Sequence, residues 1–209
     1  IGSYLSKFFN RNLIAWFIQI EVLVALVGGF SSTLLFLLFD RVESFPLVLY
    51  LLVSLTGILV GLEIPLIMRI LEGRFEFKDL VSKVFTFDYI GALLASIIFP
   101  LWLMPRLGLL RTSFFFGLLN AAVALALCFY FKKDLRWPAF MKVTCAGVIL
   151  LLTFGFVASE RILAFTESLT YPDKIVYATS SPYQRIVLTR NAHDFRLFLN
   201  GNLQFSSAD

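Results

Sequence analysis

Histidine is nearly missing from this chain and cysteine is scarce: His193 stands alone, and Cys128 and Cys145 are the two thiols among 209 residues. Both cysteines fall inside apolar runs, which argues against a secreted disulfide framework. A lone histidine in a turn-like stretch beside Asp194 is far more often solvated than a ligand, and no Cys/His set has metal-ligand spacing. No metal and no cofactor are expected. Charge is short as well, at 15% of residues against about 25% in soluble domains. A nucleophile elbow, a phosphate-binding P-loop and a dinucleotide GxGxxG fingerprint are all absent from the sequence. The net charge of +4 comes from basic residues in short flanks between apolar runs, so nucleic acid is not an expected partner.

What the chain has instead is hydrocarbon. Hydrophobic residues make up 59% of it and its mean hydropathy is +0.84. Neither water nor a single core of this length can accommodate so much apolar surface. A bilayer core about 30 Å thick needs ~20 helical residues to cross, and several runs reach that length. Five spans are expected: 13–39, 46–71, 85–104, 109–131 and 140–158. Asp40–Ser44 forms a charged turn between the first two, and "EGRFEFKDLVSK" a polar connection to the third. Pro105 and Gly108 mark the next turn, and "KKDLRWP" separates the last two spans. "SERILAFTESL" reads as an interfacial helix over 159–168. "IGSYLSKFFNR" lacks the long apolar region of a signal peptide, and the chain is expected to begin and end inside a longer protein.

The character changes at Thr170. "KIVYATSS", "YQRIVLTR", "FRLFLN" and "LQFSS" are β-prone, and they are separated by Ser-Ser-Pro, Asn-Ala-His-Asp and Asn-Gly. Asn200-Gly201 is a strong two-residue hairpin signal, because both residues tolerate positive φ. The expected fold class is therefore an all-α transmembrane bundle of about five helices over 1–169, then a short antiparallel β meander over 170–209.

Basic residues divide unevenly between the two ends of such a bundle. Lys7, Arg11, Arg69, Arg74, Lys78, Lys83, Lys132, Lys133, Arg136 and Lys142 lie at one end; Arg41, Arg106, Arg111 and Arg161 lie near the other. The positive-inside rule puts the first group in the cytoplasm, and an odd number of crossings puts the β tail outside.

Glu21, Glu63 and Asp88 interrupt the apolar segments. A carboxylate near the bilayer centre costs about 2.5–3.5 kcal/mol on insertion scales, so such residues face protein or water. Gly57 and Gly61 precede Glu63 as a GxxxG pair, and Gly91, Ala92 and Ala95 follow Asp88 at helical spacing. Both stripes would let another helix approach closely, and they leave homo-oligomerisation open. Arg69 is six residues from Glu63 and off its face, so pairing within that helix is not expected.

"SPYQRIVLTRNAHDFRLFLNGNLQFSSAD" resembles the start of the soluble domain of spermidine synthases, the polyamine aminopropyltransferases. Tyr183-Gln184 stands where that family opens a strand, and Leu199–Gln204 where it has Leu-Asp-Gly-x-x-Gln, with Asn200 in place of Asp. "GLEIPLIMRIL" and "FDYIGALLASIIFPL" resemble the helical region fused ahead of this domain in membrane-bound members. The resemblance implies that the β tail is the N-terminal β part of an aminopropyltransferase domain. It also implies that Gln184, Leu199 and Gln204 line a pocket for decarboxylated S-adenosylmethionine. This nucleoside co-substrate gives an aminopropyl group to a polyamine such as putrescine.

The family's catalytic aspartate and glycine-rich loop lie further along, so no catalytic residue is expected in this chain and the chain by itself is expected to be inert. A nucleoside made in the cytosol would place the tail in the cytoplasm of a cell-membrane protein, against the charge rule. One way out is that "VTCAGVILLLTFGFVA", at 16 residues, is re-entrant. Two other functions stay open: a multi-pass transporter or channel handling a cation or polyamine through Glu21, Glu63 and Asp88, and a non-catalytic membrane anchor.

Overall fold

The computed structural model describes residues 1–39, 41–181 and 183–208. Asp40, Pro182 and Asp209 lie outside the described residues, and with them parts of the expected charged turn and Ser-Ser-Pro break. Helix α1 (Gly2–Leu5) runs into a 3-10 turn, Ser6–Phe8. The long helices are α2 (Leu13–Leu38), α3 (Phe45–Leu71), α4 (Phe77–Ile98), α5 (Met104–Tyr130) and α6 (Pro138–Thr170). Pro46 and Pro138 sit in the first turns of α3 and α6, where a missing N–H leaves no helical bond unmade.

By length and composition, four helical runs can cross a membrane: Leu13–Leu38, Phe45–Leu71, Phe77–Tyr130 and Pro138–Thr170. The third holds 54 residues, more than twice the ~20 that a bilayer requires. A π-helical turn at Phe99–Leu103 carries the chain past Pro100 from α4 into α5. Gly108 then breaks the run with φ 72° and ψ 177°, a conformation open to glycine and strained for any other residue. Pro105 is helical, so the expected Pro105–Gly108 turn narrows to Gly108.

Two boundaries differ from the sequence expectation. The third span, expected from Phe85, begins at Phe77. Asp79 complements the positive N-terminus of the helix there, and Lys78, Leu80 and Lys83 are good helix formers, so "KDLVSK" is helix and not connection. The fifth expected span, 140–158, and the extension expected over 159–168 form one helix, α6. No glycine or proline intervenes between Ala158 and Thr170, and α6 runs unbroken for 33 residues. The stretch over 143–158 is helical throughout.

Helices α2, α5 and α6 form the packed centre, with α5 antiparallel to both. The cluster Ala25, Phe114, Ala121, Val148 and Leu152 is buried between them. The close approaches are made by glycines. A Cβ on Gly117 would lie 2.7 Å from the Ala25 carbonyl oxygen and 3.0 Å from Gly29 Cα. One on Gly155 would lie 2.4 Å from the Phe114 ring. The expected contact stripes behave otherwise: Gly57 and Gly91 have nothing within 4 Å of such a Cβ, and Gly61 meets Gly2 of α1. Helix α3 packs on α2 through Leu59, Leu62 and Leu66 against Phe17, Ile20 and Val24. Among the described residues of α4, Leu80 alone is buried.

Helix α6 leads directly into a four-stranded antiparallel meander, β1 (Lys174–Ser180), β2 (Arg185–Arg190), β3 (Phe195–Leu199) and β4 (Asn202–Ser206), in that order. Asn200 and Gly201 both take positive φ, at 50° and 84°, and close the β3–β4 hairpin across the Leu199–Asn202 pair. Val187 and Thr189 are buried in β2, and the buried Tyr171 at the foot of α6 packs its ring 4.8 Å from that of Phe198.

Candidate functional site

The far ends of α2, α5 and α6 and the near edge of the sheet enclose a cavity of about 530 Å³. Its helical walls are largely apolar, with Leu35, Phe36, Phe39, Leu107 and Leu163, and carry Arg111 and Ser159 among them. Its polar groups come from the other direction: Tyr183, Gln184, Arg185 and Asn200 from the sheet, Glu160 and Glu167 from the last turns of α6.

The β1–β2 turn sets Gln184. Ser181 Oγ accepts from the Tyr183 and Gln184 amides at 3.2 and 3.0 Å, and donates to the Gln184 carbonyl at 3.0 Å. The backbone of Gln184 is thus pinned, and its side-chain amide makes no hydrogen bond among the described residues. A half-buried amide left in this way has donors and an acceptor for a ligand. Asn200 reaches across from the other hairpin. Its Oδ1 accepts the Arg185 amide at 2.8 Å, and its own N–H donates to the Arg185 carbonyl at 2.9 Å. An aspartate could accept the same bond.

Arg185 joins the sheet to the helices. Its guanidinium grips Glu167 with two parallel bonds, Nε to Oε1 at 2.5 Å and Nη2 to Oε2 at 2.8 Å, and also reaches Ser180 Oγ at 3.1 Å. The hydrogen bond it donates to Glu167 raises the arginine's pKa against the opposing effect of burial. Across the cavity, Arg111 donates to Ser159 Oγ at 3.0 Å and lies 3.4 Å from Glu160.

At the far end of the sheet Asp194 holds a second knot. Arg196, Ser206 and Ser207 all donate to its carboxylate, with Arg196 Nε at 2.7 Å. Burial pushes its pKa up, but these bonds outweigh it and hold the value down to about 2. His193 beside it is exposed, its amide bonded to Asn191 Oδ1.

The residues singled out in the sequence therefore separate. Gln184 lies in the cavity wall beside Asn200 and Gly201. Leu199 is half-buried in β3 and Gln204 is exposed on β4; neither lines the cavity. Glu21 is buried on α2, Glu63 half-buried on α3 and Asp88 exposed on α4. Glu63 acts electrostatically on Glu21, and Asp88 on Glu63, so three helices bring the carboxylates toward one region near the basic end. Arg69 is engaged elsewhere, with the Ser6 carbonyl at 2.8 Å and Asn10 Oδ1 at 3.3 Å. Sequence reasoning missed the Glu167–Arg185 fork, which joins residues 18 apart from different elements. A buried carboxylate at the end of an apolar helix was the one available sign of it.

No family model and no solved structure matches the chain. Curated relatives match it throughout. The polyamine aminopropyltransferase of Leptospira interrogans is 47% identical over 209 residues, and polyamine aminopropyltransferase 2 of Ralstonia nicotianae is 50% identical over 217. That of Oceanobacillus iheyensis is 36% identical over 213. Each alignment takes in 100% of this chain and 41–42% of the relative, so the chain spans about two fifths of their length. Over its whole described course, helices and sheet alike, this chain is similar to proteins named polyamine aminopropyltransferase.

Proposed function

We propose that these residues are the membrane-embedded helical region and the first strands of a polyamine aminopropyltransferase, an enzyme that moves an aminopropyl group from decarboxylated S-adenosylmethionine to a polyamine. The whole-chain identity of 47–50% with proteins of that name carries the reading. The Gln184 side-chain amide at the cavity, unbonded among the described residues, supports it from the chemistry, since an amide can donate to and accept from ribose hydroxyls. In this reading the group that accepts a proton from the attacking amine lies outside these residues.

The test is release of methylthioadenosine by the full-length protein from decarboxylated S-adenosylmethionine and putrescine. Gln184→Ala removes one or two hydrogen bonds, about 1.4 kcal/mol, and should raise KM for the nucleoside about tenfold with kcat little changed. No release by the unaltered full-length protein would sink the reading.

The helices are proposed to cross a bilayer, with the sheet on the side opposite the lysine-rich ends. Their length and apolarity support crossing, and the antiparallel run of α2, α5 and α6 puts the sheet at the sparsely basic end. A cysteine at exposed Asn202, with Cys128 and Cys145 replaced, should react with a membrane-impermeant thiol reagent in intact cells. Labelling that needs the membrane to be opened first would put the sheet in the cytoplasm.

A further inference from the structure

Cys128 on α5 and Cys145 on α6 are 17 residues apart in sequence, and the fold buries them side by side with their sulfurs 3.9 Å apart. Met141 precedes Cys145 by four residues on α6, which puts it one turn away on the same face, and it packs against the same cluster. Ile18, Ala124 and Leu135 complete that cluster. Three sulfur-bearing side chains thus belong to one apolar cluster between two helices.

We propose that Cys128, Cys145 and Met141 form a site for a soft monovalent cation, Cu(I) or Ag(I). Two thiolates and a thioether are the donors that select such ions. With a metal–sulfur bond of about 2.3 Å, sulfurs at the observed separation subtend about 116° at the metal, close to a trigonal angle. Met141, one turn from Cys145, supplies the third donor in the proposed site.

Zinc is disfavoured by the donor set. It is held by four ligands in structural sites, and among the described residues no group of three His, Cys, Asp or Glu side chains converges. Binding is an exchange without redox change: the cation enters, two S–H bonds break and two protons leave, and three metal–sulfur bonds form, two to thiolates and one to the thioether. The bis-thiolate complex carries one negative charge. Lys142, which acts electrostatically on Cys128 and holds its ammonium 3.9 Å above the Phe129 ring, supplies the countercharge. Leu135, from the connection between α5 and α6, is buried in the same cluster.

The test is titration of the whole chain in detergent with Ag(I), which needs no reductant, against a chromogenic competitor. One Ag(I) per chain is expected, with a rise in melting temperature that Zn(II) does not reproduce. Cys128→Ser and Cys145→Ser should abolish both effects while keeping the helical circular dichroism of the parent. Met141→Leu, which preserves volume and fold, should weaken binding about tenfold, equal to about 1.4 kcal/mol. Unchanged stoichiometry in the Cys128→Ser/Cys145→Ser double variant, or parental affinity in Met141→Leu, would overturn the proposal. So would a parent chain that takes up no Ag(I).

Discussion

Helices α2 and α3 are almost equally long and are both apolar throughout, yet 44% of the apolar window of α2 is buried and only 11% of that of α3. Helix α4, next in line, is more exposed still. Hydropathy states which segments leave water, but it says nothing about which of them touch. In a bilayer, lipid is as apolar as leucine, and helices associate where small residues let backbones approach. That is how Gly29, Gly117 and Gly155 separate the packed trio from its loosely attached flank.

The sharpest way to break this contrast is Gly117→Leu. Even its Cβ meets backbone on the neighbouring helix, which cannot move aside as a flexible side chain could. Overpacking of this kind costs at least about 3 kcal/mol, and loss of folded protein on a thermal melt in detergent is expected. Gly155→Ala, which meets the Phe114 ring, should cost about 1–3 kcal/mol by the same measurement. Glu167→Gln, by contrast, should leave the helical melt almost unchanged and loosen the sheet. Losing charged hydrogen bonds there costs about 2 kcal/mol, seen as faster amide exchange in β1 and β2.

Asp194 offers a test by pH. Its folded pKa is lowered, so the stability it lends the sheet is full above the ~3.9 of a free aspartate and is lost as pH falls through about 2. Asp194→Asn should remove that dependence from sheet exchange while the helices keep theirs. The smallest effect belongs to Gly91→Ala on α4, which meets open space and should change the melt by less than ~0.5 kcal/mol.

Local rules are readable in the residues, and distant ones are not. Apolar runs from Leu13 and Pro46 are helices from Leu13 and Phe45, because length and composition act within a segment. The Asn200-Gly201 hairpin is equally local, since its signal is the pair's tolerance of positive φ. The start of α4 was misplaced because a lysine-bearing first turn looks like connection, although its residues are sound helix formers. Gln184 could be named from the sequence, but its setting depends on Ser181, Asn200 and the ends of three helices. The Glu167–Arg185 fork and the Cys128–Cys145 pair are products of folding, and no spacing rule announces them.

Helix α6 has one more consequence. Its 33 residues extend about 50 Å at 1.5 Å each, some 20 Å more than a hydrocarbon core is thick. Three residues, Tyr171–Asp173, link its end to β1, and the Glu167–Arg185 fork ties the sheet back to it, so it acts as a drive shaft. Each residue added or removed between Ala158 and Thr170 turns the sheet by about 100° and shifts it by about 1.5 Å relative to the bundle. The Glu167–Arg185 clamp and the cavity around Gln184 meet at one phase of that rotation, so the length of this stretch sets the angle at which the sheet faces the helices, as firmly as any contact between them.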